Sequence, residues 1–237
     1  MKVIRRCVLL LSLFVMFLFG SISGLAMDTG FSTEELTQDE IERIVDNVKI
    51  SMLEKEPEKK SIDCFDVNEY GKIAIGCSNS ENKTVCIYST DGTFRYGYGF
   101  SCTGDFGIEF HGDILNIYLV RGDIALSVTS LGEITEVRRI QNSIENNSYW
   151  NEHIFCKQQK VGDTEYVIRN DMGILNVFAA SYSQLVTVNS SGEETVIYDV
   201  NGIQLAKTVM VLVCIDVFVV IVVFCIVREV NKAKRKS

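Results

Sequence analysis

"FDVNEYGKIAIGCSNSENKTVCIYSTDGTFRYGYGF", residues 65–100, decides the fold. Within it, "KIAIGCS" and "KTVCIYS" alternate apolar residues with polar or small ones, the two-residue period of strands with one apolar face. "CSNSENKTVC" reads as a hairpin, with Cys77 and Cys86 flanking it. "TDGT" supplies an Asp-Gly turn, and Gly71 marks another. Short strands separated by tight turns predict an antiparallel sheet.

The same order of turns and strands recurs twice. "GDILNIYLVRGDIALSVTSLGEITEV" (112–137) aligns with "MGILNVFAASYSQLVTVNSSGEETVI" (172–197). The turn glycines Gly92, Gly132 and Gly192 are separated by 40 and 60 residues. A period of about 40 suits a four-stranded blade. The longer interval holds an insertion, "SIENNSYWNEHIFCKQQKVGDT", in which "HIFCKQQ" and "TEYVIRN" are placed to pair across "KVGD".

The phrase "FDVNEYGKIAIG…VCIYSTDGTFRYG" (65–97) resembles β-propeller blades of the WD40 or NHL-like kind, and the resemblance covers about 61–200. It implies antiparallel repeat units that bury their apolar faces by stacking. The G-H…W-D signature is absent, and only three units fit where a closed propeller needs about four or more. The expected fold is therefore mainly β: three propeller-like antiparallel repeat units in an open or partial propeller, with a β-sandwich as the alternative. An N-terminal amphipathic helix and a C-terminal transmembrane helix complete it.

The helix is read from "FSTEELTQDEIERIVDNVKISMLEKEPEKK". Thr37 with Glu40, and Ser32 with Glu35, have the capping-box form. Ile41, Ile44, Val45, Val48 and Met52 follow at helical spacing, and Pro57 lies past the end. The spacing predicts a helix from about 33–37 to 54, whose apolar stripe covers the β domain or another subunit.

The two chain ends suggest a topology. Lys2, Arg5 and Arg6 precede an apolar core from Cys7 to Phe19, the layout of a secretory signal over 1–26; the competing reading is an uncleaved anchor. Thr208 to Val227 is a 20-residue apolar run, about 30 Å as a helix, which matches a bilayer core. The tail 228–237 is basic, which places it in the cytoplasm. Residues 27–60 (helix and charged hinge) and 61–203 (β repeats) are thereby expected outside, in a single-pass protein of the cell membrane. The whole chain has formal charge −8, whereas 27–206 carries 14 Lys+Arg and 29 Asp+Glu, a balance of −15. Such a surface repels nucleic acid.

Chemistry is sparse. The eight cysteines include no C-x-x-C pair, so no metal site is expected and no cofactor is assigned. Cys64, Cys77, Cys86, Cys102 and Cys156 fall in the outer segment, and small buried side chains account for them as well as disulfides do. Nucleophile elbows, zincin motifs and phosphate loops are absent. Asp66, Asp91, Asp113 and Asp123 are explained by turns and strand ends, and His111 by a turn. Candidate ligand-binding residues are aromatic. Arg95, Tyr96 and Tyr98 lie on "TFRYGYGF", with Phe94, Tyr96, Tyr98 and Phe100 expected on one strand face; Tyr149 and Trp150 lie in the insertion. Asn82, Asn146 and Asn189 are acceptors in N-x-S/T triplets. Asp216, inside the apolar run, is the candidate contact to a membrane partner or to a second copy, because an ionised carboxylate in hydrocarbon costs about 3 kcal/mol.

These readings favour a membrane-anchored extracytoplasmic binding or accessory protein, non-catalytic, that recognises a protein or carbohydrate through its β domain. A surface glycoside hydrolase-like enzyme using paired carboxylates is one alternative; a purely structural membrane protein is the other.

Overall fold

The computed structural model describes residues 27–179 and 181–236. The expected signal segment 1–26 lies outside them. The quoted stretch forms the centre of the molecule. Strands β3 (Cys64–Val67), β4 (Ile73–Asn79), β5 (Asn82–Tyr88) and β6 (Phe94–Ser101) make an antiparallel meander, and β2 (Ser51–Leu53) adds to β6; this is sheet I. Sheet II repeats the plan with β7 (Phe106–His111), β8 (Ile114–Leu119), β9 (Ile124–Val128) and β10 (Ile134–Ile140), to which β1 (Thr33–Glu34) adds. Sheet III is the meander β11 (Gln158–Val161), β12 (Thr164–Arg169), β13 (Gln184–Val188) and β14 (Glu194–Asp199). None of the three sheets closes on itself.

Sheet I is buried on both faces, where the sequence suggested one apolar face per strand. Cys64, Ala74, Val85, Ile87, Tyr98 and Phe100 pack on sheet II residues such as Phe106, Ile108, Leu115 and Ile117. The alternate residues Phe65, Ile73, Ile75, Cys77, Cys86 and Tyr88 pack on Tyr166, Ile168, Leu185 and Tyr198 of sheet III. Alternation survives as large against small. Ala74 and Gly76 take the sheet II side of β4, and a Cβ on Gly76 would lie 2.5 Å from Cys64 Sγ and 2.9 Å from Phe106 Cζ. The face of sheet II turned away from sheet I, with Tyr118, Ala125 and Ile140, is covered by Met27, Phe31 and the insertion residues Tyr149, Trp150 and Ile154. That insertion is α2 (Ile144–Tyr149), running into a wide turn over Trp150–Ile154.

The N-terminal helix is α1 (Gln38–Val48), with the Thr37/Glu40 capping box in place. It is shorter than its apolar spacing predicts. Lys49 takes a left-handed conformation that ends it, and Met52 leaves the expected stripe to enter β2. Leu36, Ile41, Ile44 and Val45 pack against the core shared by sheets I and II. One short segment thus adds β1 to sheet II, lays α1 over the join, and adds β2 to sheet I.

Two repeat expectations are corrected. A bulge in the β5/β6 pairing sets Tyr88 against Phe94 but Ile87 against Tyr96. It turns Phe94 into the sheet III core, while Tyr96, Tyr98 and Phe100 stay on the sheet II side. "GILNVF" aligns with strand β8 in sequence, yet Gly173–Phe178 is a 3₁₀ helix. "TEYVIR" has already filled the second-strand position with Tyr166 and Ile168, so "GILNVF" is displaced into the long β12–β13 loop. The side chain of Asn176 holds it there, accepting from Met172 N–H at 2.8 Å and donating to Asn170 C=O. The pairing of β11 with β12 across Gly162 agrees with the sequence.

Cys64, Cys77 and Cys86 are small buried thiols rather than bridges, and Cys102 and Cys156 are free and partly buried. Cys77 sits opposite Thr84 and Cys86 opposite Ile75, and both are free. Burial pushes the Cys77 thiol up to about 12 and Cys86 to about 11. Asn146 is also removed from the glycosylation candidates: it is buried, and its amide donates to Ser32 C=O and Gln141 C=O. Asn82 and Asn189 are exposed.

If sheet I/II packing carries stability, Ile117→Ala, at a fully buried site, costs about 2–5 kcal/mol. Leu131→Ala, 72% exposed, stays within about 0.5 kcal/mol. Urea unfolding of the full chain in detergent checks both; equal midpoints for the two variants would contradict the packing.

Candidate functional site

The first strands of the three units, β3, β7 and β11, come together, and polar side chains stitch their edges. An edge strand exposes unpaired N–H and C=O groups that need partners when covered. Asp66 Oδ2 accepts from the Phe110 N–H at 2.5 Å, joining β3 to β7. The Gln159 amide accepts from Val67 N–H and donates to Val67 C=O, both at 3.0 Å, joining β11 to β3 as one more rung would. Asn68 Nδ2 donates to Gly112 C=O at 3.2 Å beyond the end of β7.

Glu109, beside this seam, is a knot of contacts. Its carboxylate accepts from Tyr118 Oη at 2.5 Å and from the Tyr149 hydroxyl. Nε2 of His111 approaches the same carboxylate at 3.0 Å, and Nδ1 lies 3.4 Å from Asp28. Because Tyr118 gives its proton to Glu109, the Thr29 hydroxyl 2.7 Å away donates to Tyr118. Burial alone would raise Glu109, but His111 and the two tyrosine hydroxyls outweigh it and hold the carboxyl below its ordinary range. The Glu109 contact, partly opposed by burial and helped by Asp28, raises His111. Asp66 goes the other way: burial pushes it up to about 6 despite the Phe110 and Gln159 bonds.

Two cavities share Asp66, Glu109 and Gln159 in their walls. The smaller, about 160 Å³, is also lined by Glu152, His153, Ile154 and Cys156. The larger, about 310 Å³, opens past Asp28, Asn68, Glu69 and His111. Among the described residues no group of three or more His, Cys, Asp or Glu side chains is placed to hold a metal ion.

The aromatic candidates are mostly packing groups. Tyr98 is buried and donates to Thr129 C=O at 2.8 Å; Tyr96 is half-buried with its ring 5.7 Å from Tyr98; Arg95 is exposed. Tyr149 and Trp150 lie over Phe31, with centroids 4.7 and 4.8 Å away, on the outer face of sheet II. They do not join the Arg95–Tyr98 strand in one surface. Asp216 is exposed on α3 (Asn201–Lys236). Asp91 is the turn residue expected, held at about 2 by Ser89 and Thr93. Asp66 is not a strand-end group. Its signal in the sequence was a carboxylate between Phe65 and Val67 inside an apolar strand, and "IEFH" (108–111) carries Glu109 and His111 in the same way.

No family model matches the chain, and the comparison with curated proteins found no match. Among solved structures it is similar to Sqt1 of Saccharomyces cerevisiae, at 17% identity and a TM-score of 0.27, over 63% of this chain. The match spans 35% of that chain's length. At that score neither fold nor function is carried across.

The Asp66 shift has a definite sign. Its carboxyl holds a proton more tightly folded than unfolded, so its contribution to stability is fully present below about 3.8 and is lost as pH rises through about 6. Asp66→Asn keeps an acceptor for Phe110 and removes the buried charge. It is expected to raise stability at pH 7.5 by up to about 3 kcal/mol and by progressively less towards pH 4.5. Thermal melts across that range check this; a variant less stable than wild type at pH 7.5 would mean that the ionised form is required.

Proposed function

We propose that the chain is a single-pass membrane protein whose extracytoplasmic β unit is a non-catalytic binding or accessory module for a protein or carbohydrate. One observation carries the reading. The stretch Asn201–Ile226 of α3 is long and apolar enough to cross a membrane, and the other described residues bury none of its most apolar window. Only Val200 separates it from β14, so the β unit is tethered directly to it. In this reading residues 1–26 are the export signal, 61–203 the outer module, 208–227 the span and 228–237 the cytoplasmic tail. The basic residues from Arg228 onward favour that orientation.

The three sheets are read as blades of an incomplete propeller. The succession of four-stranded meanders and the meeting of their first strands support this. The insertion 143–157 would occupy the gap between the second and third blades. The carboxylates of Asp28 and Glu69 at the mouth of the larger cavity would present acceptors to a basic protein segment or to sugar hydroxyls. Asp216 would face a polar group on a partner helix or on a second copy, since a lone carboxylate among lipid is costly.

The hydrolase reading has one observation in its favour: Asp66 and Glu109 share cavities, and their environments push their proton affinities apart. Against it, both Glu109 oxygens already accept tyrosine hydroxyls, and the two cavities, about 160 and 310 Å³, lie below and at the lower edge of the usual ligand-pocket range of about 300–1,000 Å³.

The accessory reading is tested by purifying the full chain in mild detergent and identifying what accompanies it, with Asp216→Leu in parallel. A stoichiometric membrane protein, or a dimer, is expected with wild type and at least about tenfold less with the variant, the loss a contact worth about 1.4 kcal/mol would give. A monomer in both preparations would remove the partner role of Asp216.

A further inference from the structure

Resting on the reading of α3 as a membrane span, we infer that the 3₁₀ helix Gly173–Phe178 is a second membrane contact, seated in the headgroup region beside the point where α3 enters the bilayer. Ile174, Val177 and Phe178 are 92%, 80% and 58% exposed. Outside α3, the other large apolar residues exposed among the described residues are scattered: Met52, Tyr70, Ile114, Leu131, Ile144 and Val196. Three in one five-residue stretch form a patch, and such patches mark contact surfaces.

Its position selects the bilayer as the occupant. The 3₁₀ helix touches α3, and side chains from the first turn of α3 fasten its loop on both sides. Asn201 Nδ2 donates to Asp171 C=O at 2.6 Å, and Gln204 Nε2 donates to Ser181 C=O at 2.9 Å. The Ser183 hydroxyl also donates to Asn201 Oδ1 at 3.2 Å. The apolar run starts at Thr208, seven residues or about 10 Å along the helix from Asn201. A turn held beside residues 201–204 therefore lies at the level of the interface, where apolar side chains reach about 5–10 Å into the headgroup and acyl boundary.

Charge agrees. The outer segment is strongly acidic overall, yet residues 172–192 contain no charged side chain. This stretch can approach a lipid surface without the repulsion or desolvation that charged groups would bring. The anchored β unit would then be held at two points, with sheet III against the membrane and its tilt restricted.

The test uses the full-length chain in phosphatidylcholine vesicles carrying a spin-labelled quencher at either a shallow or a deep acyl position. The variants Phe178→Trp and Phe218→Trp are compared, with the wild-type signal of Trp150 subtracted. The inference predicts that the added emission of the Phe178→Trp variant is blue-shifted and lost mainly to the shallow quencher. That of the Phe218→Trp variant is lost mainly to the deep one. Quenching at position 218 without quenching at position 178 would overturn the membrane contact and leave the span intact. A blue shift at position 178 without lipid quenching would also overturn it, assigning the patch to a protein contact. Absence of quenching at both positions would overturn the span itself, and the inference with it.

Discussion

Burial of sheet I on both faces is the constraint on which the rest of the structure depends. A lone antiparallel meander with one wet face would need only half of its residues apolar. Here β4 and β5 are apolar on both sides, so sheet I is stable only between two partners. Sheets II and III are those partners, and each in turn has an outer face. Sheet II receives a cover, the N-terminal segment and the insertion. The small residues on the sheet II side of β4 set how closely the two sheets approach, and Gly76 leaves the space that Phe106 fills.

The polar seam follows from that stacking. Bringing β3, β7 and β11 together places three strand edges where water is scarce. Asp66 and Gln159 satisfy those edges with side chains in place of backbone ladders. Glu109 does the same for the covering layer, joining Tyr118 on the sheet to Tyr149 on the insertion. The charges most suggestive of chemistry are thus first of all fasteners. The larger cavity opens outward from these fasteners past Asp28 and Glu69.

Much of this was legible in the residues. Period-two runs, Asp-Gly turns and the 40-residue recurrence of Gly92 and Gly132 located sheets I and II, and the Thr37/Glu40 box located α1. Three features were not. The β5/β6 bulge adds an out-of-step residue that no local pattern announces, so Phe94 was assigned to the wrong face. "GILNVF" has strand composition in isolation, but competition with "TEYVIR" for one place in sheet III decides its conformation. The meeting of Asp66, Glu109 and His111 depends on which strands stand side by side, a tertiary fact; only the oddity of carboxylates within apolar strands hinted at it. Of the aromatic candidates, Tyr98 is buried in the core and Trp150 packs, partly buried, in the cover of sheet II.

Hydrogen–deuterium exchange on the full chain in detergent tests the central role of sheet I most directly. Opening β4 or β5 breaks two cores at once, whereas opening β12–β14 breaks one, and amides in the most deeply coupled elements exchange last. The account predicts that the β4 and β5 amides exchange more slowly than those of β13 and β14, the sheet III strands that border one core. Protection in sheet III equal to or longer than that of β4 and β5 would contradict it.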